Sequence, residues 1–108
     1  MKPISSRRAK AVAIPTKVKK RVAERDEIDG WTCCVNCGSP NGLPEAHYIA
    51  RSDGGLGIEQ NIVTLCRDCH NKFDFGRREE RIEIGNHIKE YFMSIYPDWN
   101  EEDLIYKK

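Results

Sequence analysis

His47 and Asn61 lie between two C-x-x-C pairs, Cys34 with Cys37 and Cys66 with Cys69, and His70 follows the last cysteine directly. An unperturbed imidazole has a pKa of about 6.5, so it is mostly neutral at pH 7 and can take a proton from water. Residues four apart on a helix share a face, which places Asp74 beside His70. An imidazole and a carboxylate at that spacing can share one hard or borderline divalent cation. Hydrolysis of a phosphodiester needs a base for water, a cation for the charge on phosphate and leaving oxygen, and in-line positioning. Arg51 follows the His47 segment and can hold a phosphate. Arg77 continues the His70–Asp74 stripe if the helix runs through Gly76.

The cysteines serve a different purpose. The two pairs are separated by 28 residues, Gly38 to Leu65. Tetrahedral zinc takes four thiolates at about 2.3 Å, and each tight C-x-x-C turn supplies two. A set of four thiolates is closed, so this metal is structural and not the one that does chemistry. Cys33 forms a doublet with Cys34. Cys34 is preferred as the ligand because its spacing to Cys37 matches that of Cys66 to Cys69. Cys33 then reads as a small buried hydrophobe. No βαβ pattern surrounds the pairs, which disfavours a redox role.

The chain of 108 residues is long enough for one domain. The net charge of +1 conceals an asymmetry. Residues 1–25 carry nine Lys and Arg against Glu24, a local +8; residues 26–108 carry nine against sixteen acids, a local −7. A basic arm on an acidic body fits a polyanionic partner, with Lys17, Lys19, Lys20 and Arg21 as candidate phosphate contacts. There is no run of about 18 apolar residues and no apolar stretch after the basic start. The expectation is a cytoplasmic protein, in which C-x-x-C pairs favour metal over disulfide.

These groups need a frame. Pro3, Ser5, Ser6 and Pro15 among scattered cations predict no order in residues 1–15. A short helix is expected from Thr16 to Asp29, capped by Thr16 and ended by Gly30, with Val18 and Val22 on one face. Residues 31–43 form the first knuckle, residues 44–50 a strand bearing His47, and residues 61–65 a second, β-branched strand. The glycines at 54 and 55 mark the loop between them. A helix starts near residues 68–70 and ends at Gly76. Another runs from about Arg77 to Ile95, with Ile84, Ile88, Tyr91, Phe92 and Ile95 on one side. Pro97 stops it. Asn100 should cap a last short helix over 101–106, with Asp103 as a shortened capping-box partner and a staple between Trp99 and Leu104.

Over residues 31–76, Glu45-Ala-His-Tyr through Gly54-Gly55, Asn61 and Cys66-Arg-Asp-Cys-His70 resemble the HNH endonuclease family. The resemblance implies an α+β fold: a small ββα-metal core with a structural four-cysteine zinc site, flanked by helices. With the charge asymmetry and the helical spacing, the chain divides into a basic arm with a short helix (1–30), the core (31–76) and C-terminal helices (77–108). The resemblance makes His47 the general base, Asn61 the residue that orients the base and steadies the loop, and His70 a ligand of the catalytic ion. Asp74 is a further candidate ligand. Such enzymes use one divalent ion, often Mg2+ or Mn2+, and leave 3′-hydroxyl and 5′-phosphate ends. The chain looks most like small standalone HNH proteins of bacteriophages and their bacterial hosts. In many members the residue before the base is Asp or His and binds metal; here it is Ala46.

Three functions compete on this basis. The first is a metal-dependent DNA endonuclease of low sequence specificity, since no element carries a base-reading helix. The second is a zinc-clipped DNA-binding module without catalysis, favoured by Ala46. The third is an interaction module beside phage terminase or recombination proteins.

Overall fold

A computed structural model describes residues 6–107. Pro3 and Ser5, read as breakers of order, lie outside the described residues.

The segment expected to be without order carries a helix, α1 (Arg7–Val12). Ser6 caps it, its Oγ accepting from the Ala9 amide at 3.0 Å. Six residues are too few to hold a helix in isolation. Tertiary contacts hold this one: Val12 is buried, and the Gly57 amide donates to the Ala11 carbonyl at 2.9 Å.

Helix α2 (Thr16–Arg25) follows Pro15, with Val18 and Val22 buried as their spacing predicts. Thr16 is the first helical residue and not the cap. The helix also ends earlier than Gly30. Asp26 closes it and is almost wholly buried. Its carboxylate accepts from Arg25 at 2.7 Å, from the Thr64 amide at 3.0 Å and from the Tyr91 hydroxyl. Arg25 in turn donates to the Ile62 carbonyl at 2.7 Å and the Glu59 carbonyl at 2.6 Å. Extending α2 would pull this buried pair off its partners. Asp29 and Gly30, at φ 51° and 86°, instead turn a hairpin between β1 (Glu27–Ile28) and β2 (Trp31–Thr32). An Asp-Gly pair is suited to such a turn because both central residues need positive φ.

Strand β3 (Leu43–His47) pairs antiparallel with β4 (Ile62–Leu65), with a register shift between Leu43 and Ala46. Every residue of β4 is buried. Ile62 packs with Val18 and Val22, while Val63 and Leu65 join the larger core with Ala46, Ile84, Ile88 and Phe92. β4 is therefore covered on both sides, which explains an apolar run without alternation.

Helix α3 (Arg67–Phe75) begins at the second knuckle and stops at Gly76, where a β-carbon would strike the Lys72 carbonyl. Helix α4 (Arg78–Ile95) supplies Ile84, Ile88 and Phe92 to the core, but Ile95 is substantially exposed. The tail is shorter in helix than expected, a 3-10 turn over Glu101–Leu104 capped by Asn100, whose Oδ1 accepts from the Glu102 amide at 2.9 Å. From there Leu104 and Tyr106 bond to Leu56 and Gly54 at 2.8 Å, laying the tail against the β3–β4 loop. That pairing ends the last helix before residue 106.

Candidate active site

The two knuckles come together at one end of the β3–β4 pair. The Sγ atoms of Cys34, Cys37, Cys66 and Cys69 all lie within 4.8 Å of one another. Tetrahedral zinc with bonds of about 2.3 Å requires sulfur separations of about 3.8 Å. Cys37 and Cys66 stand at 3.6 Å, so the cluster fits the ion with little adjustment. The Cys37 amide points at Cys34 Sγ (3.5 Å), the Cys69 amide at Cys66 Sγ (3.4 Å) and the Asn36 side-chain amide at Cys69 Sγ (3.3 Å). Such donors favour thiolate. Burial pushes the Cys69 thiol up to about 12, against the Asn36 donation, so a cation is what would hold it deprotonated. These four residues can hold a metal such as zinc. Cys33 is buried outside the cluster, as the spacing argument required.

At the other end of the strands two clefts, of about 720 and 700 Å³, share His47, Ala50 and Asp74. His70 and Arg51 line the second. His70 Nε2 and Asp74 Oδ2 are 3.2 Å apart, on one face of α3, and both are accessible. They form a pair of donors open to solvent beside the imidazole of His47, and can together grip a divalent ion. His47 Nε2 lies 2.8 Å from the Val12 carbonyl oxygen. A carbonyl only accepts, so Nε2 donates, and Nδ1 keeps the lone pair. Burial depresses the His47 pKa below its usual value. Arg51 and His70 add to this, while the Val12 carbonyl and Asp74 oppose it.

Asn61 does not touch substrate space. It is fully buried. Its Oδ1 accepts from the Ile49 amide (2.8 Å), and its Nδ2 donates to the carbonyls of Leu56 (2.9 Å) and Ile49 (3.2 Å). Its own carbonyl accepts from the Tyr48 amide, one residue past His47. The side chain thus cross-braces the loop directly behind the histidine.

The chain matches the family model described as HNH endonuclease over residues 34–73. It is also 32% identical over 71 residues to Anaredoxin of Nostoc sp. (strain PCC 7120 / SAG 25.82 / UTEX 2576). That match spans 65% of this chain and 90% of the relative. The chain belongs to the HNH endonuclease family. No solved structure matches it significantly. HNH membership suggests nuclease-type activity with metal binding, and the fold has the mixed helix-and-sheet character and the four-cysteine cluster that the sequence implied.

Other expected residues fall differently around this HNH core. Arg77 does not extend the His70–Asp74 stripe. The helix stops at Gly76, and Arg77 becomes the entry to α4, its amide donating to Glu80 at 3.1 Å and its side chain 84% exposed. Arg78 and Arg81 line the first cleft instead. On α2, Lys17, Lys20 and Arg21 are exposed, and Arg21 stands 3.9 Å from Glu59. Lys19 is turned toward the second cleft, 3.7 Å from Glu45. Ala46 has no exposure and belongs to the core. Glu45, two residues from His47 and hence on its side of the strand, lines the cleft. The contribution of Val12 was invisible in the sequence, because a backbone carbonyl carries no residue signature. Phe75, 85% exposed at the second cleft, also went unnoticed, though a phenylalanine at the exposed end of a short polar helix was a usable signal.

Among the described residues, no helix is long and apolar enough to cross a membrane.

Proposed function

We propose that the protein is a metal-dependent DNA endonuclease in which His47 is the general base. The observation that carries this reading is one cleft holding a neutral-leaning imidazole beside an accessible His–Asp pair. His47 Nδ1 takes a proton from water as the water oxygen bonds to phosphorus. The bond to the 3′ oxygen breaks, and that oxygen takes up a proton, leaving 3′-hydroxyl and 5′-phosphate ends. His70 and Asp74 would hold Mg2+ or Mn2+, which would neutralise charge on the phosphate and the leaving oxygen. Arg51 at the cleft wall fits a flanking phosphate. Asn61 acts by fixing the loop behind the base. The cysteine cluster holds zinc and takes no part in the reaction.

The exposed cations Lys17, Lys20 and Arg21, with Lys19 nearer the cleft and Arg77 beyond it, supply sequence-independent attraction to DNA. The chain is read as a basic arm (1–30), a catalytic core (31–76) and C-terminal helices (77–108), working in the cytoplasm of a bacterial or phage-infected cell, with terminase or recombination proteins as candidate partners.

Ala46 favours one other reading. It offers no donor atom, and its place in the core leaves no room for a ligand there. A zinc-clipped DNA-binding module without catalysis would look like this. Plasmid cleavage separates the two. The nuclease converts supercoiled DNA to nicked or linear forms with added Mg2+ or Mn2+ and not in EDTA. Folded, zinc-loaded, DNA-binding protein that cuts in neither metal would establish the binding module instead.

A further inference from the structure

The family match begins at residue 34, yet one of the contacts that define the His47 imidazole comes from residue 12. We propose that helix α1 is a working part of the catalytic cleft, and that the Val12 carbonyl is the positioning group that leaves Nδ1 of His47 free to take a proton. This deepens the reading of His47 as general base and rests on it.

Three contacts seat α1 on the end of β3 and the loop that follows it. Arg8 Nη2 donates to the Ser52 carbonyl at 2.9 Å. The Gly57 amide donates to the Ala11 carbonyl at 2.9 Å. His47 Nε2 donates to Val12 at 2.8 Å. Just beyond, Ala13 and Ile14 line the same cleft as His47, His70 and Asp74. The approach is close enough to dictate a glycine. A β-carbon on Gly57 would collide with the Ala13 carbonyl, although the backbone torsions of Gly57 do not themselves demand glycine. The hydrogen bond has a chemical consequence. A neutral imidazole has two tautomers, and a ring free to rotate would offer either nitrogen in changing directions. A fixed acceptor at Nε2 selects one tautomer and one ring orientation, the service that a carboxylate performs for a catalytic imidazole in hydrolytic triads. Here an uncharged carbonyl does it, so it adds no anion beside the phosphate.

The test uses Gly57→Ala and Arg8→Ala in the full chain, neither of which touches His47. Two readouts are taken: 15N–1H multiple-bond spectra of the histidine rings, and cleavage split into kcat and KM. Wild type should show the Nε2–H tautomer at His47. Gly57→Ala should give a mixture of tautomers and a kcat at least about tenfold lower, since a small misplacement of a base is costly. KM and zinc content should stay unchanged. Arg8→Ala should shift both readouts in the same direction by less. A wild-type His47 in the Nδ1–H form would overturn the proposal. So would a Gly57→Ala protein with wild-type kcat and spectrum, or one with raised kcat, which would make α1 a lid. If wild type cuts no DNA, the nuclease reading fails, and the ring spectra still decide whether Val12 orients His47.

Discussion

The cysteine cluster and the His47 cleft occupy opposite ends of the β3–β4 pair and are held by different means. Each half of the cluster is local. Each knuckle is a tight turn whose own amides point at its own sulfurs, and two such turns close on one point. The cleft is assembled from distant chain: His47 from β3, His70 and Asp74 from α3, a carbonyl from α1, and a loop pinned by Asn61 and by the tail. A site built from two short-range turns is robust to events elsewhere but would depend on a bound ion to join them. A site built from long-range contacts can lose function while the fold survives.

The largest effect expected from this contrast is at the cluster. Cys66→Ser removes both a ligand and the sulfur that caps α3. Structural zinc in small domains contributes roughly 10–16 kcal/mol of apparent binding energy, more than a domain of this size can spare. The variant should hold no zinc and show no cooperative thermal transition. A folded, zinc-free variant would mean that the core needs no clip.

His70→Ala should behave in the opposite way. Melting temperature and zinc content should stay near wild type, because the side chain is only partly buried and takes no place in the apolar core. Cleavage at fixed Mg2+ should fall at least about 100-fold, the cost typical of losing a group that holds transition-state charge. Unchanged cleavage would remove His70 from the ion site.

Asn61→Ala lies between the two regions. It strips three hydrogen bonds from a buried loop and should cost about 2–4 kcal/mol by urea unfolding. Faster amide exchange should appear at Ile49 first, since its amide loses its acceptor. A loss below about 0.5 kcal/mol would show that the loop is held by the flanking segments alone.

The smallest effect is in pH. Burial lowers the His47 pKa, so the neutral base should persist below the ordinary value. The acid limb of the rate profile should then fall below pH 6.5, and a limb at or above 6.5 would contradict the buried setting. The same shift acts on stability with a definite sign. As pH drops below about 6.5 the unfolded chain protonates this residue first, so His47 removes stability there and has no such effect at higher pH.

What could be read from the sequence follows the same division. The clip, the two strands and the helix carrying His70 and Asp74 were legible, because spacing and β-branched runs are local signals. So was the end of α3 at Gly76, although Arg77 was placed on a stripe that stops before it. The order in residues 7–12 was not legible: composition reports solvation, whereas α1 is held by backbone groups of Gly57 and Ser52. Nor was the hairpin at Asp29–Gly30. Its signal was present, but a glycine after a helical pattern reads equally well as a cap until the buried role of Asp26 is known. Arg25 belonged to the supposed DNA-binding arm, and it lies instead against the Phe92 ring at 5.2 Å, paired with Asp26.

The most direct measurement is supercoiled-plasmid cleavage by wild type and His47→Ala side by side, in EDTA, Mg2+ and Mn2+, after both have been shown to hold one zinc per chain. Zinc content and melting behaviour should be equal, with metal-dependent cutting by wild type and a loss of about 100-fold or more in the variant. Comparable cutting by both proteins would contradict this, and would place the base of the cleavage reaction somewhere other than His47.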